Sequence, residues 1–437
     1  MRRAFASAIG AALAVVCLGM IVLNAQEETA EEQIRGLLDM LGVQETMTED
    51  ALKARVEEIG GLKLIRPLQI RFMTKEQLKQ YLEQVFDDEY PASEAVGESE
   101  LLKFLGLIPA DYDLRAERAQ LLYENVAGFY DERSPSKSLY AVSSSSQLDF
   151  LNAFILSHEI RHAIQDQHFD LEHKLPDLSD FDDRRLAALG AYEGDATFVM
   201  LRFAGVDSLG AQNTELGDDV GELLGGIPLD LGAMIQSAAT LTGGRYAAAP
   251  EVIQRQLLLP YIEGDRFIEA AYNRGGQSEV NRVLARPPAT SEQLLHPDKY
   301  FGRDDPQDVH FNLSSRLPGQ TLVFEGVLGE FYMRSLFPAD QDGVASAGWD
   351  GDFYQMYRDS SGRRTLVWKQ AWDRTADAAE FCDAWRMRCG GNLAAHGAML
   401  DGRDTDAVRI RIVKDGATTT VVKSESPDTI AELTVER

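Results

Sequence analysis

Between residues 158 and 173 the chain places four of its seven histidines, and the first two stand in His158-Glu159-Ile160-Arg161-His162. At 3.6 residues per turn, residues four apart lie one above the other, so both imidazoles reach one metal ion from the same helical face. Glu159 is rotated ~100° from His158. That sets its carboxylate beside the ion instead of on it, where it can take a proton from a water. Two nitrogens that fix an ion and a base that does not bind it are the parts of metal-assisted hydrolysis.

Phe154, Ile155 and Leu156 precede the motif, and Ala163 and Ile164 follow it. The histidine face is therefore continuous with an apolar one, and burying an unpartnered histidine pair would be costly. The alternative is a solvated helix that happens to carry two histidines. A zinc site needs a third protein ligand, which leaves one position for water. Glu193, in Ala191-Tyr192-Glu193-Gly194-Asp195-Ala196-Thr197, is the best candidate, because Leu186, Leu189 and Met200 on the same helix direct it inward. Gly194 would let the two metal helices approach closely. The expectation is one zinc ion per chain on His158, His162 and Glu193, with His168 and His173 as lesser competitors. Asp166 and Asp195 are candidates to receive an imidazole N–H, as carboxylates commonly do for ligating histidines. Otherwise they are salt-bridge partners for Arg161 or Arg202.

Attack on a carbonyl builds negative charge that a metal stabilises only in part, so a further donor is expected from outside the two metal helices. His296 and Tyr300, in Leu295-His296-Pro297-Asp298-Lys299-Tyr300 after Pro287-Pro288, are candidates on a stiff loop. The alternative has His296 capping a helix and Tyr300 packing its ring, with Tyr192 or Tyr140 as donor instead.

The elements that must position these residues follow from periodicity and turn chemistry. Thr74-Lys75-Glu76-Gln77 has the capping-box form and opens a helix to about residue 86. Helices are predicted over 116–125, 148–168, 182–203, 250–285 and 325–336; residues 207–250 are ambiguous. Strands at 128–131 and 138–142 form a hairpin. From Trp349 the pattern is strand, turn, strand, helix, strand, turn, strand, with hairpins pairing 353–357 to 365–369 and 408–413 to 418–422. The expected fold is α+β: a helix-rich domain with a short sheet, plus a small C-terminal α+β module. Boundaries are drawn at 1–25 for a signal segment, 26–65 for an N-terminal helical segment, 66–340 for the metal domain and 341–437 for the module.

His-Glu-x-x-His on one helix and Glu193-Gly194-Asp195-Ala196 on the next resemble the gluzincin group of zinc metallopeptidases, of which thermolysin is the familiar example. Ser157–Leu171, Tyr192–Thr197, Ala127–Asp131 and Pro287–Tyr300 are similar to a family of secreted microbial proteins of metallopeptidase character, over about 100–375. The resemblance implies a zincin-like fold, with His158 and His162 as ligands, Glu193 as the third and Glu159 as base. Arg161 departs from it, since an uncharged residue is common there.

Composition bounds the setting. With 43 Lys+Arg against 70 Asp+Glu the formal charge is −27, and no basic cluster fit for a phosphate backbone appears, which argues against nucleic acid as a partner. Arg2 and Arg3 precede an apolar run to Leu23 and then Asn24-Ala25-Gln26, the layout of an export signal. The expectation is an exported protein, periplasmic or extracellular, touching a membrane only if that segment stays as an anchor. Cys382 and Cys389 would then sit in an oxidising compartment. An unbroken helix through both would hold their Cα atoms ~10.5 Å apart, against the ~6.8 Å a disulfide tolerates, so a bridge requires a break near Met387. The expected activity is zinc-dependent peptide hydrolysis on a peptide or protein substrate. Two rivals are a metal-retaining envelope or binding protein without peptidase activity, and a metal-dependent hydrolase of a non-peptide substrate.

Overall fold

The structure, a computed structural model, describes residues 46–125, 128–131, 137–142, 148–175, 182–203, 245–337 and 343–433. The expected signal segment, residues 26–45 of the N-terminal helical segment and most of the ambiguous 207–250 stretch lie outside the described residues. Among those described, no helix is long and apolar enough to cross a membrane. The fold is α+β, as expected, and the chain divides into two compact units.

The first unit takes residues up to 95, 113–177 and 187–288. Its three-stranded sheet has the order Ile70–Met73, Ser138–Val142, Gly128–Asp131. The last two form the expected antiparallel hairpin, with Phe129 opposite Tyr140, while Ile70–Met73 runs parallel to Ser138–Val142. Thr74 caps the helix Lys75–Glu89 in a capping box with Gln77. That helix sets Leu78, Leu82 and Phe86 into a core with Tyr90, Leu122 and Phe129.

Three further helices frame the chemistry. Phe150–Phe169 carries the His-Glu-x-x-His motif, and every residue from Ala153 to Asp166 is buried, its polar and charged side chains included, so those groups must find partners inside the fold. Asp183–Phe203 carries Glu193 and is likewise buried from Gly190 to Leu201. Glu251–Ala285 is long, contains Pro260 and leaves helical geometry at Gly275 and Gly276. Gly194 does mediate a close approach, but to this long helix and not to the motif helix. A Cβ on Gly194 would stand 2.2 Å from the Gly264 carbonyl carbon, a distance no alanine tolerates.

The second unit takes residues 96–112, 178–186 and 289–437. Its seven-stranded sheet is antiparallel throughout, in the order Gln320–Gly326, Trp349–Asp359, Arg364–Trp372, Thr418–Ser424, Arg409–Asp415, Met399–Arg403, Leu393–His396. The two expected hairpins are present and longer than predicted. The span 325–336 divides differently: Gln320–Gly326 is a strand, and only Gly329–Leu336 is helical. Thr321-Leu322-Val323-Phe324 is β-branched and aromatic, and pairing with Trp349–Asp359 draws it into the sheet. The sheet therefore begins before residue 341, where a boundary was expected. Helix Thr375–Arg388 covers Cys382 and ends at Cys389, and both thiols are free. The helix does not break early enough to bring them together.

Candidate metal centre

His158, His162 and Glu193 converge in the first unit. His158 Nε2 lies 3.0 Å from His162 Nε2 and 3.1 Å from Glu193 Oε2, and His162 Nε2 lies 3.2 Å from the same carboxylate oxygen. All three side chains are at most 2% exposed. These three atoms meet at hydrogen-bond distance in a buried space, an arrangement that can share a proton or hold a metal ion. A tetrahedral zinc with bonds of ~2.0–2.1 Å would separate its ligand atoms by ~3.3 Å, so the donor set fits such an ion with shifts of a few tenths of an ångström.

The electrostatics of the cluster are set by burial and by the three groups acting on one another. Burial opposes charge on Glu193, yet His162 and His158 pull its carboxyl down to about 2. Burial likewise opposes charge on His162, but Glu193 raises it to about 9, while His158 is lowered by burial.

Glu159 is beside the cluster and outside it. The backbone N–H of Tyr130, on the edge strand Gly128–Asp131, donates to Glu159 Oε2 at 2.8 Å. Oε1 has no hydrogen-bond partner among the described residues. Burial drives this carboxyl up to about 8, against the pull of His162 and the Tyr130 N–H. A bound dication would reverse that balance.

Neither acid expected to hold an imidazole does so directly. Asp166 accepts from the Tyr130 hydroxyl at 3.0 Å and from Lys137. Asp195 is gripped by Arg161 through Nε and Nη2, at 2.6 and 3.1 Å. The partner of His162 Nδ1 is Gln165 Oε1 at 2.8 Å, a residue the motif spacing does not single out. Gln165 Nε2 donates in turn to Asp195 Oδ2 and to the Tyr192 carbonyl, at 2.7 and 2.9 Å. His158 Nδ1 has no partner among the described residues. His168 bonds the Lys63 carbonyl and His173 pairs with Asp170, so neither joins the cluster.

His296 and Tyr300 belong to the second unit. His296 ends the short helix Ser291–Leu295 and begins Pro297–Gly302, and its Nε2 lies 3.1 Å from Glu330, which also binds Arg334. The Glu330 carboxylate raises its pKa. Tyr300 is half-buried against Phe301. Of the other donor candidates, Tyr192 donates its hydroxyl to the Leu284 carbonyl and Tyr140 stacks on Phe129. Tyr261, on the long helix, stands beside the cluster with its ring centroid 6.2 Å from that of His158. No local pattern marks it, since it lies about a hundred residues along the chain.

Comparisons with known proteins cover different parts of this picture. Residues 318–434 are similar to a domain of unknown function, DUF8575. That span holds the whole seven-stranded sheet and none of the metal cluster. No curated protein matches the chain. Among solved structures it is similar to a crystal structure of a candidate hydrolase with a novel fold from Chloroflexus aurantiacus. The identity is 16% and the TM-score 0.31, over 69% of this chain and 98% of that one.

Proposed function

We propose that this chain is an exported zinc-dependent hydrolase of peptide bonds. The observation that carries the reading is the convergence of His158, His162 and Glu193 at 3.0–3.2 Å beside a glutamate, one of whose oxygens has no partner among the described residues. When bound, zinc would supply a Lewis acid that polarises the scissile carbonyl and makes water acidic. Tyr130 N–H holds Glu159 Oε2, which leaves Oε1 to take the proton of the attacking water and deliver it to the leaving amine. The strand Gly128–Asp131 is an edge of its sheet and contacts the motif helix, but it is buried along its length, and its contribution to this reading is the Tyr130 N–H that holds Glu159.

A second reading has a specific support: His158, Glu159, His162 and Glu193 are all at most 2% exposed, which suits a closed, structural metal centre. One experiment separates the two. The purified full chain is incubated with a mixed peptide library, with and without chelator, beside Glu159→Gln. The hydrolase reading expects turnover that chelation abolishes, zinc restores and Glu159→Gln lacks. A native chain that turns over nothing, and that chelation merely makes easier to unfold, has a structural ion instead.

A further inference from the structure

One ligand of the cluster, His162, is the end point of a buried relay. It starts at the Gly60 carbonyl, the end of helix Glu49–Gly60, which accepts from Arg161 Nη1 at 3.2 Å. A Cβ on Gly60 would stand 2.5 Å from that guanidinium nitrogen, so the glycine makes its room. Arg161 then holds both oxygens of Asp195, Asp195 Oδ2 receives Gln165 Nε2, and Gln165 Oε1 reaches His162 Nδ1. Arg161, Gln165 and Asp195 are fully buried.

Each bond in this chain has one sense. Asp195 engages Arg161 as a carboxylate and accepts only, so Gln165 must present its NH2 to Asp195 and to the Tyr192 carbonyl. The amide orientation is thereby fixed, and its oxygen is the atom left facing His162. An oxygen that only accepts obliges His162 to carry its proton on Nδ1. The lone pair then lies on Nε2, the atom that faces His158 and Glu193. The charge of Asp195 is met by Arg161 within the relay, so the imidazole receives a neutral acceptor instead of an anion.

We infer that Gln165 is the positioning residue of the metal centre: through Arg161 and Asp195 it sets the tautomer and ring orientation of His162 for a divalent ion. The inference rests on the metal-binding reading above and adds the means by which one ligand is prepared. Arg161, between the two motif histidines, is on this account the distal anchor of the relay. Among the described residues, His158 Nδ1 has no partner, so of the two histidines only His162 shows such support there.

The test is the zinc affinity of the full chain, measured by competition with a coloured chelator, for the native protein, Gln165→Met and Gln165→Glu. Methionine keeps the volume and removes the acceptor, and should weaken zinc binding ~10–100-fold, the usual cost of losing a partner behind a ligating histidine. Glutamate keeps an acceptor for Nδ1 but sets a carboxylate oxygen against Asp195 and the Tyr192 carbonyl. It should therefore lose stability in urea while its folded fraction binds zinc more tightly than Gln165→Met. Equal affinity in the two variants would overturn the role of the acceptor. Unfolding of the metal-free proteins in urea, run in parallel, separates lost packing from lost positioning. Native-like affinity in Gln165→Met overturns the relay and leaves the metal centre standing. Failure of the native chain to take up zinc overturns the metal centre itself, and the relay with it.

Discussion

Glu193 in the first unit and Asp352 in the second are both buried, 1% and 4% exposed, and they are satisfied in opposite ways. Asp352 is met by four N–H donors: the backbone of Gly329 and Leu328, and the indoles of Trp349 and Trp368. Every lone pair has a fixed protein donor, and the acid ties the helix Gly329–Leu336 to the adjacent strands. Glu193 faces two imidazole nitrogens that can donate or accept, with Glu159 alongside holding one oxygen that has no partner among the described residues. Asp352 is closed off by fixed donors, whereas Glu193 meets groups whose own protonation is open, which is what the proposed metal-ligand role asks of it. The distinction is geometric and does not require knowing the reaction.

The largest expected effect breaks the chemical side of that comparison. Glu159→Gln should retain zinc and lose ~10²–10⁴-fold in turnover, because a positioned base typically contributes that much. Steady-state rates with metal analysis of the same samples decide it, and equal rates would mean that another base operates. His158→Ala, by contrast, should lose the ion, and full zinc occupancy in that variant would dismiss the three-ligand assignment.

On the structural side, Asp352→Leu strands four buried donors, each worth ~1–3 kcal/mol when unsatisfied, so a loss of several kcal/mol is expected. Zinc content in whatever fraction stays folded should be unchanged. Urea denaturation gives the first number. An unchanged midpoint would remove the contrast between the two carboxylates.

Much of the first side was legible in the chain. A four-residue spacing on a helix guarantees a shared face, and an acid flanked by Leu186, Leu189 and Met200 has nowhere to point but inward. Both are local facts. Gln165 was not legible, because a glutamine on a helix looks the same whether it meets solvent or an imidazole. Only the packing of Asp183–Phe203 against it supplies Asp195 and the Tyr192 carbonyl that orient its amide. The strand Gln320–Gly326 was hidden for a related reason: its fate depends on a partner about thirty residues away. Gly194 was expected to bring the two metal helices together, yet it packs on Gly264 of the long helix, because nothing near it in sequence says which helix approaches.

Asp265 tests the comparison where it is weakest, because this acid has neither set of partners. It lies fully buried on the long helix, beside the glycine that packs against Gly194, and neither carboxylate oxygen has a hydrogen-bond partner among the described residues. Burial raises its pKa to about 7, with Glu269 adding to the shift and Arg202 and Arg266 opposing it. The unfolded chain releases this proton near pH ~3.9. Between those values the folded chain binds more protons than the unfolded one, so stability falls as pH rises through the window and levels off above it. The contribution of the neutral acid is complete below pH ~4 and gone above about 7, at ~1.4 kcal/mol for each unit of separation as an upper bound. Asp265→Asn stays neutral throughout and should flatten that slope. Urea unfolding at pH 5 and pH 8 should therefore show the variant gaining on the native chain at the higher pH, by a few kcal/mol at most, with zinc affinity unmoved. Parallel losses in the two proteins would mean that Asp265 is ionised in the folded state after all, and that a buried acid here can do without both donors and a cation.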